Sequence, residues 1–141
     1  MAVALTTIAD TKYRTTVKVI VSSTNSSASI LDVSGLEGWQ SGSLVNIAKI
    51  FWSLAPAAIT NTFTLVWVGT TPKNAIELAM NSSTGEYGYQ PGQPAIYPIP
   101  APTGGTNIGD VALTNAAAAV GTIVVEFHKV INNATGAGWA A

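Results

Sequence analysis

The sequence predicts an all-β protein: an antiparallel β-sandwich, jelly-roll-like or immunoglobulin-like, with about eight strands and one long Pro/Gly-rich arm. Three observations predict it. Short stretches of alternating or β-branched apolar residues recur along the chain, separated by clusters of Gly, Asn and Ser. No segment repeats its apolar residues at the spacing of three and four that an amphipathic helix needs. Five prolines within residues 90–109 interrupt the pattern once, and only a final hairpin follows them. The 141 residues therefore read as a single domain, 1–141, with an extended arm at 90–109.

Taken in order, residues 13–21 alternate, with Tyr13, Thr15, Val17, Val19 and Val21 on one face and Arg14, Thr16, Lys18 and Ile20 on the other. That is the pattern of a half-buried strand. A polar stretch at 22–27 leads to a second strand at 28–33, and the two suggest an N-terminal hairpin. Residues 35–42 form a glycine-punctuated loop carrying Trp39. Residues 44–54 are the strongest apolar segment. Strict alternation puts Val45, Ile47, Lys49 and Phe51 on one face, and Leu44, Ala48, Ile50, Trp52 and Leu54 on the other. Apolar residues on both faces mark a central strand, or one covered again by a neighbouring subunit. Pro56 ends it.

Residues 63–68 repeat the β-branched and aromatic character, 75–80 give a shorter strand, 81–85 a turn, and 86–89 the start of another short strand. The arm at 90–109 contains Pro91, Pro94, Pro98, Pro100 and Pro102, which exclude a helix or a central strand. Such a segment lies extended on a surface, and the expectation is that it clamps a neighbour, anchored by Tyr97 or Ile99. Residues 110–114 are a strand, 115–120 a turn or one helical turn, and 121–131 the last and longest strand.

Six Lys/Arg and seven Asp/Glu make up 9% of the chain, with a net charge of −1, where about 25% is usual. Ser, Thr and Asn together supply 37 residues instead. A surface so poor in charge is cheap to desolvate, which points to burial against partners. The cations are spread singly from Lys12 to Lys129, so no basic patch exists to neutralise phosphates, and no nucleic acid is expected as a partner. No apolar run approaches the roughly 18 residues of a membrane span, so no membrane is expected either. The first residues lack a basic region and a sustained apolar stretch, the reading of a chain made in a cytoplasm without a signal peptide. The chain has no cysteine, which removes disulfide and thiolate chemistry.

Groups able to do chemistry are few. His128 is the only histidine and shares a strand face with Glu126 two residues earlier. Same-face neighbours of this kind are commonly a solvated polar pair, and no serine sits in a nucleophile elbow. The carboxylates Asp10, Asp32, Glu37, Glu77, Glu86, Asp110 and Glu126 are scattered, without the local motif of a calcium loop or a glycosidase pair. Residues 104–109 are Gly-rich but lack the lysine of a phosphate-binding loop. Asn25, Asn81 and Asn133 match the glycosylation pattern, incidental in a chain this rich in Asn, Ser and Thr. The reading is no catalytic residue, no cofactor and no metal.

The aromatics carry what remains. Trp52 and Trp67 lie within apolar strands, as core or as the inner layer of an oligomer. Phe51, Trp52, Tyr87, Tyr89, Tyr97, Ile99 and Trp139 are the candidate interface residues, since aromatics in loops and at strand faces anchor protein contacts or stack on sugars. A carbohydrate-binding sandwich using Tyr87 and Tyr89 is the corresponding alternative.

Lys49-Ile50-Phe51-Trp52, residues 63–68, residues 75–78, the Gly-Asp strand start at 109–114 and the Lys-terminated strand 121–129 resemble virion structural proteins of tailed bacteriophages. These are small, cysteine-free, all-β proteins found especially in marine and cyanobacterial phages, and the similarity covers residues 12–131. The resemblance implies a capsid decoration (cement) protein on the outer surface of the head, synthesised in the host cytoplasm. Its implied partners are the major capsid protein and further copies of itself, as a homo-oligomer with a trimer favoured. A tail, neck or fibre-associated module is the alternative. The resemblance assigns no functional residues.

Overall fold

The structure, a computed structural model, describes residues 3–22, 24–39, 45–56, 62–68, 73–79, 84–96, 110–115 and 119–129. Within them lie strands β1 (Val3–Asp10), β2 (Arg14–Val21), β3 (Asn25–Leu31), β4 (Val45–Pro56), β5 (Thr62–Trp67), β6 (Lys73–Ala79), β7 (Thr84–Tyr87), β8 (Val111–Asn115) and β9 (Ala119–Lys129), with one 3-10 turn at Val33–Gly35. They form two antiparallel sheets, one of five strands in the order β1-β2-β9-β4-β7 and one of four in the order β3-β8-β5-β6. The chain is an all-β sandwich, as its periodicity predicts. Among the described residues no helix is long and apolar enough to cross a membrane.

The core lies between the sheets. Val17, Val19, Ile123, Val125 and Phe127 from the five-stranded sheet meet Ile30, Phe63, Leu65, Trp67 and Leu113 from the other, all buried. Each such side chain contributes about 1.5–3 kcal/mol on burial. Alternation places them: β2 reads exposed, buried, half-buried, buried along its length, so one face is core and the other is surface.

The expected hairpin between 13–21 and 28–33 does not form. β2 pairs with β1 and β9, whereas β3 pairs with β8 in the opposite sheet. Val17, Val19 and Val21 therefore face Ala28 and Ile30 across the core instead of standing beside them. A polar connection suits a sheet-to-sheet crossing as well as a hairpin, and loop composition alone does not separate the two. The true hairpin partner of β2 is β1, a strand without an expected counterpart. Its alternation is broken by a bulge between Thr7 and Ala9, and its residues are largely exposed.

A second bulge reorders β4. The register with β9 shifts between Ile47 and Lys49, leaving Ala48 as the extra residue. Val45 and Ile47 therefore join Ile50, Trp52 and Leu54 on the inner face, and Phe51 turns outward. Strict alternation had separated these two groups, because one inserted residue exchanges the faces of everything beyond it. β4 is interior, flanked by β9 and β7. The last strand begins at Ala119, inside the segment read as a turn, while 116–118 and 130–131 lie outside the described residues.

The first part of the arm folds back on its own sheet. Ile96 and Ile47 exchange backbone hydrogen bonds of 2.9 and 2.7 Å, extending the ladder that β7 begins on β4. Residues 97–109 lie outside the described residues.

Candidate functional site

Among the described residues, the five-stranded sheet presents an outer face built from alternate residues of its strands. β2 supplies Arg14, Thr16, Lys18 and Ile20; β9 supplies Val120, Thr122, Val124, Glu126 and His128; β4 supplies Lys49, Phe51 and Ser53. Strand register arranges these in rows: Arg14 opposite His128, Thr16 opposite Glu126 opposite Lys49, Lys18 opposite Val124 opposite Phe51, and Ile20 opposite Thr122 opposite Ser53. Arg14, His128, Glu126 and Lys49 thus gather at one end of the face; Phe51 lies between Val124 and Glu86 of β7, in the row of Lys18, and the apolar Ile20 and Val120 lie toward the other end.

At the charged end Glu126 is the centre. Its Oε1 accepts from Arg14 Nη1 at 3.2 Å and lies 3.2 Å from His128 Nε2, and Lys49 Nζ stands 3.9 Å from Oε2. Lys49 Nζ also lies 5.4 Å from the centroid of the Tyr89 ring. His128 and Glu126 are the same-face neighbours that their spacing predicts. Arg14, Lys49 and His128 are substantially exposed, so each pair contributes at most about 1 kcal/mol. Away from that end Ile20 is 41% exposed, Phe51 36% and Val120 61%. Thr122 and Ser53 fill the row of Ile20, while Lys18 and the exposed Glu86 of β7 share the row of Phe51.

A separate cavity of about 270 Å3 opens between the sheets beside β1, lined by Leu5, Thr7, Val17, Ile30, Leu31 and Leu36 with Asp32 and Gly35. It is smaller than the usual range of about 300–1,000 Å3 for small-molecule sites. Next to it, Asp110 Oδ1 accepts from the Val33 amide at 2.9 Å and pins the 3-10 turn to β8. Burial raises the Asp110 carboxyl above its ordinary range; the Val33 hydrogen bond opposes this, and nearby Asp32 adds to it. Among the described residues no group of three or more His, Asp or Glu side chains is placed to hold a metal ion.

The candidate interface residues separate. Phe51 is on the outer face, and Tyr89 is exposed beside Lys49. Trp52 points inward and packs on the core, its indole beneath Gly85 of β7. Tyr87 is half-buried, and its hydroxyl donates to the Pro94 carbonyl at 2.7 Å, which makes it an anchor for its own chain. Tyr97, Ile99 and Trp139 lie outside the described residues. Leu5 and Ile8, on the unrecognised β1, and Val120, hidden in the alanine run, are exposed apolar residues that the sequence reading missed. Ile20 was legible, since alternation put it on the face of Arg14 and Lys18.

No protein-family model, no curated protein and no solved structure matches this chain.

Proposed function

We propose that this chain is a non-enzymatic structural protein of a phage particle, a decoration protein that binds the outer surface of the head as a homo-oligomer and stabilises the shell of major capsid protein. The observation that carries the structural role is the outer sheet face, where Ile20, Phe51 and Val120 stand exposed beside polar neighbours that include Lys18 and Glu86. Exposed apolar and aromatic side chains bordered by polar and charged ones match a protein contact, with apolar anchors inside a polar rim. The charged cluster at its far end supplies a polar rim. The assignment to a virion head rests on the sequence resemblance.

The test is cosedimentation of the purified protein with shells assembled from major capsid protein alone. Saturable binding is expected, with a raised melting temperature of the shell. Phe51→Lys should weaken that binding at least tenfold, about 1.4 kcal/mol, as for an anchor residue. Absence of binding to shells, together with immunogold labelling on tails or fibres, would replace the head assignment with the tail alternative.

A further inference from the structure

We propose that the free edge of β1 pairs antiparallel with β1 of a second copy, about a two-fold axis at Leu5, joining two five-stranded sheets into one continuous sheet. The inference deepens the homo-oligomer part of the proposed function and does not depend on which particle is bound.

Among the described residues β1 is the long open edge of its sheet. At the opposite edge β7 has only four residues, and the adjoining stretch of β4 is taken by the Ile47–Ile96 bridge. Among the described residues no strand pairs with the outer side of β1. Exposed edges are ordinarily guarded by lysine, proline or inward-pointing charge. From Val3 to Ala9 this strand has none of these, and Leu5 and Ile8 are 46% and 57% exposed. The bulge, another guarding device, comes only after Thr7, and the register with β2 is regular from Val3 to Thr7.

The occupant is a second copy because this segment is complementary to itself. Antiparallel pairing centred on Leu5 sets Leu5 against Leu5, Val3 against Thr7 and Ala4 against Thr6, so no charge meets its like. Asp10, the one charged residue of the strand, falls outside this register and is held by Lys129. The cavity beside the edge is lined by Leu5 and Thr7, residues that the incoming strand brings again, so pairing places aliphatic and Thr side chains at its mouth. A self-paired edge is two-fold and builds dimers and even-numbered assemblies; a trimer contact has to use another surface.

The experiment measures mass by sedimentation across a concentration series, for the wild-type chain and Leu5→Lys, with circular dichroism confirming that both are folded. The wild type should approach twice the 14.5 kDa chain mass. Leu5→Lys places two ammonium groups on the axis and should remain at a single chain mass. Because the chain has no cysteine, Leu5→Cys gives a second reading that does not rely on a charge being tolerated. Directly opposed residues sit about 5.5 Å apart between Cα atoms, within disulfide range. Oxidation should therefore give a covalent dimer at Leu5→Cys and none at Val120→Cys. A monomeric wild type, a three-chain mass, an unchanged mass for Leu5→Lys, or equal crosslinking at the two cysteine positions overturns the proposal. So does slowed exchange of β1 amides only when capsid shells are added, which assigns the edge to a capsid strand. A monomer that still binds shells defeats this pairing alone, and a dimer that binds no shell defeats the head assignment alone.

Discussion

Lys129, at the end of the last strand, reaches Asp10, at the end of the first, with Nζ 2.8 Å from Oδ1 and the lysine side chain fully buried. The same ammonium donates to the backbone carbonyls of Thr11 and Glu37, and the second Asp10 oxygen accepts from the Glu37 amide at 2.9 Å. One cation thus ties β1, the β1–β2 turn, the segment after the 3-10 turn and β9 together. Removing the partly buried Asp10 takes the counter-charge from a buried ammonium, at up to about 3–5 kcal/mol. Asp10→Ala should lower stability by that amount, read from urea midpoints at unchanged m-value. A loss below 1 kcal/mol would show that the carbonyls alone satisfy the lysine.

Asp110 titrates in the opposite sense to a salt-bridged carboxylate. Its folded pKa is raised, so the protonated form is favoured in the fold. This group's contribution is fully present below the unfolded pKa and is lost as pH rises through the folded one. Asp110→Asn keeps an oxygen for the Val33 amide and removes the buried charge. It should raise the melting temperature at pH 7, with the gain shrinking toward pH 3 as wild-type Asp110 protonates. A gain independent of pH would assign the effect to something other than this carboxyl.

Trp52 and Gly85 are cross-strand partners on β4 and β7, and a Cβ on Gly85 would stand 2.2 Å from the indole Cζ2. Gly85→Ala should therefore cost about 1–3 kcal/mol by overpacking and shift the tryptophan fluorescence. Gly35→Ala, which meets nothing within 4 Å, is the control and should stay near neutral. Equal melting temperatures for the two variants would show that the indole moves aside freely.

These residues also show what a sequence reveals of such a fold. Strand class, the place of Trp67 within an apolar strand, and the placement of Glu126 with His128 on one face follow from local pattern. The two bulges do not. At Ala48 the extra residue brings its carbonyl so close to Gly88 that a Cβ there would lie 2.0 Å from the oxygen, and Gly88 takes a φ of +92°. The fit of Ala48 to Gly88 is a relation between positions forty residues apart, and nothing around either position announces it. The partners of β2 and β3 were hidden for the same reason: a strand states which face it buries, not which edge it joins. The outer face was half legible. Ile20 and Phe51 were in view, but the bulge decided which way Phe51 points.

The last prediction concerns the start of the arm, where Gln93 replaces a missing ladder. Its Oε1 accepts from the amides of Gly88 at 2.8 Å and Gln90 at 3.1 Å, closing a tight turn immediately after β7. That turn lets Tyr87 reach the Pro94 carbonyl and Ile96 reach Ile47. Proline restricts the chain before ordering, so the segment loses less entropy than a flexible one would. The side-chain hydrogen bonds need then hold only a short stretch in register. Gln93→Ala leaves the half-buried Gly88 amide without its acceptor, at about 1–3 kcal/mol. The loss should be local, with faster amide exchange at Ile47 and Ile96 while Val125 and Phe127 in the adjoining strand stay protected. Uniformly faster exchange across β9 would instead make the turn part of the global fold.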